Sequence, residues 1–344
     1  MMRKPVTLLL FVAGLAGLLS FTGKTPPGDP GRPKSVLATI VVDAGHGGPA
    51  RGAKGLISYE ADVALAISLK LGQRIQEVFP DTRVVYTRTS DTVFGVNVDA
   101  RTANRMRAEL ANEVKGDLFL SIHCNATPQK AGGWYAKRVV GHTTKTVTVG
   151  KGAKKKKKTV RVPIYENYWV KNERHGTETY IWAADRSGVK STFIKPEESA
   201  EFTEDSGTAY VAPDLNSPEA RIRAQLYEKK FFGKSLTLGN MVEEEFAKAG
   251  RLSGGVKQRN WEQIWVLQAT GMPSILVETG FITNEEEEKY LNSEQGQAEI
   301  VENIVTALKR YKEALEGAPA RAEITTGTTH VDSTVVTPDT SGKQ

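Results

Sequence analysis

The chain of 344 residues is long enough for one large domain or two smaller ones. With 39% hydrophobic and 25% charged residues, its composition is that of a globular protein and argues against intrinsic disorder. Much of the net charge of +6 lies in one run, Lys154–Lys158, so the rest of the chain is closer to neutral. Nucleic-acid binding would require basic residues spread over a face with interleaved aromatic residues. That pattern is not evident in the sequence, so we predict no nucleic-acid partner.

The N-terminal segment has the layout of a secretory signal. Two basic residues, Arg3 and Lys4, precede an apolar run at 6–19 that is too short for a comfortable transmembrane helix. We therefore expect export to the periplasm or cell envelope, with no stable membrane span after signal cleavage. The alternative is an uncleaved anchor, because no small-x-small cleavage site is evident. We assign residues 1–23 to the signal or anchor and 24–36 to a linker rich in Pro and Gly.

Hydrophobic periodicity predicts alternating strands and helices. The first half reads as a strand at 37–43, a helix at 60–77, a strand at 83–87, a helix at 99–113 and a strand at 117–123. The second half reads as an irregular stretch at 126–174, a strand at 175–182, a helix pair at 218–249, a strand at 274–278 and a helix at 285–315. This alternation predicts an α/β fold, with a mostly parallel twisted sheet and helices on both faces.

Two buried strands end in a histidine. His46 follows a β-branched strand and is flanked by glycines, and His123 ends a second apolar strand. Open α/β sheets place their chemistry at the carboxyl ends of strands, so the pair suggests a metal site. A catalytic zinc takes three ligands from His, Asp and Glu, and Glu60, which opens the helix after the glycine loop, is the third candidate. Cys124, the only cysteine, should face the opposite side of its strand from His123.

Two further carboxylates accompany these candidates. Glu278 ends an apolar strand and precedes a glycine, where it could act as a general base towards water and then towards a leaving amine. Its alternative roles are a fourth ligand or a hydrogen-bond partner. Asp43 lies before the turn and could orient a ligand. Taken singly, each residue could equally be an ordinary satisfied polar group or a charge that complements a helix dipole.

Together these residues resemble the zinc-dependent N-acetylmuramoyl-L-alanine amidases, the group that includes the bacterial cell-division amidases. The matching motifs occur in the family's order between residues 37 and 315. They are Val42–Gly48, Gly52-Ala53, Gly55, Glu60–Ala66, Thr87-Arg88, Arg101, Ala103-Asn104, Asp117–Ala126, Gly255–Lys257 and Met272–Asn284.

The resemblance implies one catalytic domain at 37–316 that binds one zinc ion and hydrolyses the amide between N-acetylmuramic acid and L-alanine in peptidoglycan. It assigns the zinc ligands to His46, Glu60 and His123, and the catalytic carboxylate to Glu278. As further residues that orient the ligands or contact the substrate we add Asp43, Asn125 and Arg88. The rival functions are another zinc hydrolase of similar fold, such as a carboxypeptidase or a small-amide deacylase, and a non-catalytic wall-binding protein.

The chain departs from simple members of this family by two insertions, at about 127–174 and 183–216. In the cell-division members an insertion near this place covers the site until a protein activator removes it, and the acidic residues at 197–205 suggest the same here. A plain surface elaboration is the alternative. The lysine run reads as a solvated loop tip, or else as a means of attraction to anionic wall or outer-leaflet polymers. Residues 317–344, rich in Thr, Ser and Gly, should be disordered.

Overall fold

The computed structural model of the protein describes residues 35–92, 98–182, 218–258 and 264–317. Its elements, in chain order, are β1 (Thr39–Ala44), α1 (Glu60–Val78), β2 (Arg83–Tyr86), α2 (Ala100–Glu113), β3 (Leu118–Asn125), β4 (Gly133–Val149), β5 (Lys156–Lys171), β6 (Thr177–Ile181), α3 (Pro218–Lys248), β7 (Ser253–Gln258), α4 (Trp265–Ala269), β8 (Ser274–Phe281), α5 (Glu285–Leu291) and α6 (Glu294–Gly317).

Six of the strands form one sheet in the order β2-β1-β3-β8-β6-β7. Each neighbouring pair is parallel except β8 and β6, which run antiparallel. The predicted mostly parallel sheet is therefore confirmed. Because β1, β3 and β8 run the same way, their carboxyl ends lie at one edge, and the reversed β6 brings its first residues to that same edge.

Helices cover both faces of the sheet, as predicted. Ile40 and Val42 of β1 belong to a core formed with α1, α3 and α6, whereas Val41 belongs to a smaller core that includes residues of α2 and α4. This separation follows from the period of two along a strand, which sends successive side chains to opposite faces. Both faces of the central strands are apolar because both are covered.

The predicted irregular stretch at 126–174 is wrong. β4 and β5 pair along their length as an antiparallel hairpin, and together they form a sheet of two strands. Alternating Thr and Val residues favour the extended conformation. The connecting turn uses Gly150 and Gly152, both at positive φ.

The predicted helix pair at 218–249 is also wrong, because α3 is one continuous helix. Gly233 suggests a break, yet an isolated glycine is tolerated inside a helix. The reverse error occurs at 285–315, where two helices replace the single one predicted. Asn292 caps the C-terminal end of α5, and the hydroxyl of Ser293 accepts a hydrogen bond from the Gly296 amide at the start of α6. The sequence analysis did not predict β7 or α4.

Three predicted segments lie outside the described residues: the N-terminal signal or anchor with most of its linker, the second insertion at 183–216, and the tail beyond residue 317. Among the described helices, none combines the length and the apolar character that crossing a membrane requires.

Candidate metal centre and active site

The loop that follows β1 places His46 in an unusual backbone conformation. His46 has φ +61°, in the left-handed region that few residues other than glycine adopt. The neighbouring glycines are required by space as well as by conformation. A Cβ added to Gly45 would overlap the imidazole ring of His123, and one added to Gly52 would lie 2.6 Å from Oε2 of Glu60. The glycine loop therefore lets the chain leave His46 and return with Glu60 beside it.

The structure brings together the three residues that the sequence suggested as ligands. Oε1 of Glu60 lies 3.0 Å from Nε2 of His46 and 2.8 Å from Nδ1 of His123. The two imidazole rings meet edge-on, with centroids 4.9 Å apart. One potential ligand atom from each residue lies within 4.8 Å of the other two, and this is the one such cluster found among the described residues. A single cation could contact all three.

The donor set of this cluster fits a zinc ion. Two imidazole nitrogens and one carboxylate, with room for a further ligand, are typical of catalytic zinc sites. Cys124 does not contribute, because its side chain lies in the core on the opposite face of β3, as predicted. Burial raises the pKa of its thiol well above the usual value, and the charge of Glu60 adds to that effect.

Glu60 remains ionised although it is buried. Burial alone would raise the pKa of its carboxyl, but the hydrogen bonds and charges of His123 and His46 outweigh it and hold the pKa well below the usual range. Two backbone amides, of Ala53 and Cys124, also donate to this carboxylate, at 2.9 and 3.2 Å. The carboxylate is therefore held in place from four directions, ready to act as an anionic ligand.

Asp43 supports the loop from beneath the cluster. Its buried carboxylate accepts hydrogen bonds from Thr87, Ser121 and Arg107, at 2.6, 2.5 and 2.5 Å. Burial raises the pKa of Asp43, yet the Arg107 charge and the two hydroxyls outweigh that effect and lower it overall. Asp43 thus stays charged, and it holds Arg107, Thr87 and Ser121 rather than a ligand side chain.

Arg107, which the sequence analysis missed, is the partner that gives Asp43 this role. It projects from α2 and is almost fully buried. Besides Asp43 it donates to the carbonyl oxygens of Ala44 and His46, so one guanidinium spans the turn. The sequence shows only an arginine on a helix, which does not distinguish a buried side chain from an exposed one.

Arg88 also acts on the backbone and does not line the cleft. Its guanidinium donates to the carbonyl oxygens of Ala44, Gly45 and Ala61, at 2.9, 2.8 and 2.7 Å. Burial and the nearby Arg107 lower its pKa to about 10, so it stays cationic at neutral pH. Of the two roles suggested for Arg88, orienting the loop fits these contacts, since they tie β1 to the start of α1.

Glu278 lies on the strand next to His123. The two residues are paired in register, so their side chains leave the sheet on the same face. Both line a cleft of about 400 Å³ together with His46 and Glu60, and residues of α2 and α4 form its other walls. The cleft has the size of a small-molecule site. The structure therefore places all four predicted residues around one space.

A second carboxylate, Glu178, is paired with Glu278 across β6 and β8 and was not predicted. Its oxygens accept hydrogen bonds from Lys257, Arg174, Asn125 and Tyr180 at 2.6 to 3.1 Å.

Burial raises the pKa of Glu178, but these partners, led by Lys257, lower it overall. The negative charge beside Glu278 is therefore compensated by cations. Asn125, predicted to orient ligands or contact substrate, uses its amide to hold Glu178 and lines the same cleft.

Replacing Gly52 by Ala should weaken metal binding while the protein stays folded. Its Cβ would lie within 2.7 Å of both Glu60 and His46, so these two side chains could not keep their present positions. We expect the affinity for zinc to fall about ten- to hundredfold, as measured by chelator competition. Gly255→Ala is the matched control, because Gly255 has the same backbone strain (φ +73°) with open space around it. Equal zinc affinities in the two variants would contradict this assignment.

Replacing Asp43 by Asn should destabilise the metal-free protein by about 3–5 kcal/mol, because Arg107 would remain buried without its counter-charge. Because folding lowers the pKa of Asp43, its contribution is complete above the unfolded value of about 3.9 and is lost as pH falls through the folded value.

Urea unfolding should therefore show a gap between wild type and Asp43→Asn that is constant from about pH 7 to pH 5 and narrows below about pH 4. Glu302→Gln, which breaks an exposed pair with Arg74, is the control and should cost less than about 1 kcal/mol. A gap of that small size for Asp43→Asn at neutral pH would refute the role given to the buried pair.

Comparison with known proteins places the chain in a family. The family model described as N-acetylmuramoyl-L-alanine amidase matches residues 40–310. The chain is 29% identical over 294 residues to the N-acetylmuramoyl-L-alanine amidase AmiC of Escherichia coli O6:H1, a match that covers 83% of this chain and 55% of that protein. It is 28% identical over 282 residues to a probable amidase of the same description, AmiB of Haemophilus influenzae, covering 79% and 52%.

Among solved structures, the N-acetylmuramoyl-L-alanine amidase from Clostridium difficile 630 is 23% identical, with a TM-score of 0.47. That match covers 83% of this chain and all of the other. The chain spans about half the length of the two curated relatives described above. Since the family model covers more than three-quarters of the sequence, the chain belongs to the N-acetylmuramoyl-L-alanine amidase family.

Proposed function

We propose that the protein is a zinc-dependent N-acetylmuramoyl-L-alanine amidase that hydrolyses the amide between N-acetylmuramic acid and L-alanine in peptidoglycan. The observation that carries this proposal is the convergence of the cluster His46, Glu60 and His123 with Glu278 around one cleft, in a chain of this family. Cleavage at this bond strips stem peptides from glycan strands, so the protein would remodel the wall or help daughter cells to separate.

The residues divide the work between holding the ion and moving a proton. His46, Glu60 and His123 would hold the zinc, and Asp43, Arg107 and Arg88 keep the loop that carries His46 in place. A bound zinc ion supplies a Lewis acid for the scissile carbonyl and lowers the pKa of water.

Glu278 would take a proton from the attacking water and pass it to the nitrogen of the leaving L-alanine. Its neighbour Glu178 carries a charge already paired with Lys257 and Arg174, which spares Glu278 an uncompensated negative charge at close range.

The proposed substrate lies outside the cytoplasmic membrane, which agrees with the signal-like N-terminal segment and with export to the periplasm or cell envelope. Peptidoglycan is then the main partner, and a protein activator is a second one. The activator hypothesis depends on the insertion at 183–216.

Removing residues 183–216 should raise the rate at which the protein releases peptides from sacculi, because that insertion would no longer cover the cleft. The measurement is the initial rate of release by full-length and shortened protein at equal zinc loading. A shortened protein that is folded but no faster would leave the insertion as a surface elaboration.

Digestion of purified sacculi, read by mass spectrometry, tests the proposed function. We expect soluble peptides with a free L-alanine amine and glycan strands without stem peptides, and we expect a chelator to abolish both. Cleavage at other bonds would indicate a carboxypeptidase or a deacylase. Glu278→Gln should lower turnover by about two to four orders of magnitude while zinc stays bound.

Glu285→Gln, a change at an exposed glutamate that pairs with Lys289, is the matched control and should leave turnover unchanged. If Glu278→Gln were as active as wild type, the assignment of Glu278 would be wrong. If the wild type bound sacculi without cleaving any bond, the protein would be a wall-binding member of the fold.

A further inference from the structure

The hairpin of β4 and β5, residues 133–171, which we call the arm, stands apart from the main sheet. Its strands pair with each other over sixteen rungs, from Gly133 opposite Lys171 to Val149 opposite Lys156. At about 3.3 Å per residue such a ribbon is about 50 Å long. Most of its residues are exposed, on both faces. A two-stranded ribbon is marginal in water unless something packs against it, so the arm is suited to receive a partner.

The arm is strongly cationic. It contains eleven Lys and Arg residues and one acidic residue, Glu166, for a net charge of +10 against +6 for the whole chain. The remainder of the chain is therefore net negative. Among the described residues, only two of these cations, Arg138 and Lys171, form ion pairs. Six of the other nine lie at the far end, at Lys151 and Lys154–Lys158.

Aromatic side chains occupy the half of the arm nearest the domain. Tyr135 and Trp169 face each other across the strands on one face, with ring centroids 5.1 Å apart, and are 72% and 53% exposed. Tyr165, which is 58% exposed and opposite Val139, lies on that same face. Neighbouring exposed aromatic side chains of this kind are typical of a binding face. The arm thus offers flat rings near its base and positive charges near its tip.

The base of the arm adjoins the catalytic cleft. The Gly132 amide donates to the carbonyl of Thr283, and the side chain of Asn172 donates to Thr127. A groove of about 530 Å³ runs beside this base and is lined by Trp134 and Arg174, among others. The groove and the cleft share Asn125 and Ala126, so a chain bound in one can continue into the other.

We propose that the arm binds a glycan strand that carries carboxylate groups. Sugar rings would stack on Tyr135 and Trp169, while the lysines near the tip pair with carboxylates of the substituents. This proposal rests on the proposed function, because that function makes such a strand, peptidoglycan, the polymer that enters the cleft. The arm would hold the polymer while one of its amides occupies the metal site.

A glycan fits the arm better than other polyanions. A membrane-docking tip would carry apolar residues to insert, whereas this tip carries lysines, and cations lie on both faces of the ribbon rather than on one. Proteins that bind nucleic acid also combine cations with aromatic rings on which bases stack. The arm has the mixed basic and aromatic face that the sequence analysis did not find. The continuity with the cleft favours the glycan, and nucleic acid becomes an outcome of the test.

The charge is tested with two variants of equal net charge in full-length Glu278→Gln protein, which leaves the polymer intact. One replaces the four lysines 155–158 of the arm by Gln, and the other replaces the four exposed helix lysines Lys229, Lys248, Lys289 and Lys309 by Gln. In co-sedimentation with purified sacculi, the arm variant should bind about tenfold more weakly and depend less on salt. The helix variant should bind as the unsubstituted protein does.

The aromatic face is tested by the same co-sedimentation with sacculi. Tyr135→Leu with Trp169→Leu should also weaken sacculus binding about tenfold. Tyr168→Leu is the control, because Tyr168 is 41% exposed on the opposite face of the arm. All these side chains are exposed, so the unfolding temperature should be unchanged. With wild-type Glu278, none of the arm variants should alter the turnover of a short soluble muropeptide.

Arm variants that bound sacculi as strongly as their control variants, whether or not both had lost affinity, would overturn the proposal. So would stronger binding to anionic vesicles or to a single-stranded oligonucleotide than to sacculi, since the arm would then serve a bilayer or a nucleic acid. Failure of the wild type to cleave the soluble muropeptide would contradict the proposed function instead, and the sacculus measurements would still decide the role of the arm.

Discussion

The buried ion pair between Asp43 and Arg107 is the interaction on which the candidate metal centre depends. A buried charge is costly unless it is paired, and here Thr87 and Ser121 complete the pairing of the carboxylate. The two terminal nitrogens of Arg107 also donate to the carbonyls of Ala44 and His46. The backbone is thus fixed on both sides of Gly45, and His46 can hold its left-handed conformation, which costs about 1–2 kcal/mol. The position of His46, a candidate ligand, is therefore set by contacts that lie one layer below it.

The register of the central strands is the second constraint. Glu278 faces the cleft only because it pairs with His123, and a shift of one residue would send it to the apolar core on the other side. The register between β6 and β8 sets Glu178 directly beside Glu278. Two adjacent carboxylates would repel each other, so Lys257 and Arg174 are needed to neutralise one of them. Glu278, the other carboxylate, lines the cleft.

Sequence patterns predicted the parts of this site that depend on residues close together in the chain. The glycines around His46, the strand ending in His123 and the helix starting at Glu60 each carry a short-range signal, and so their convergence could be predicted. Arg107 could not, because its burial depends on a partner 64 positions earlier in the chain. Glu178 was not predicted for a different reason. It lies at the edge of the sheet beside Glu278 because β6 runs in the reverse direction. The arm was taken for irregular structure because neither of its faces is consistently apolar, and period-two alternation is the signal of a half-buried strand.

The arm and the metal centre act over separable ranges. Exposed charges are screened beyond about 10 Å at moderate salt, and lysines near the tip of a ribbon about 50 Å long lie mostly outside that distance from the cleft. They cannot tune the ligands or Glu278, whose surroundings are set by buried neighbours. Outside the arm the chain is net negative and would repel a polymer rich in carboxylates. On the proposed function, the arm would therefore attract such a polymer and the cleft would hydrolyse it, so that a small catalytic site could serve a large anionic substrate.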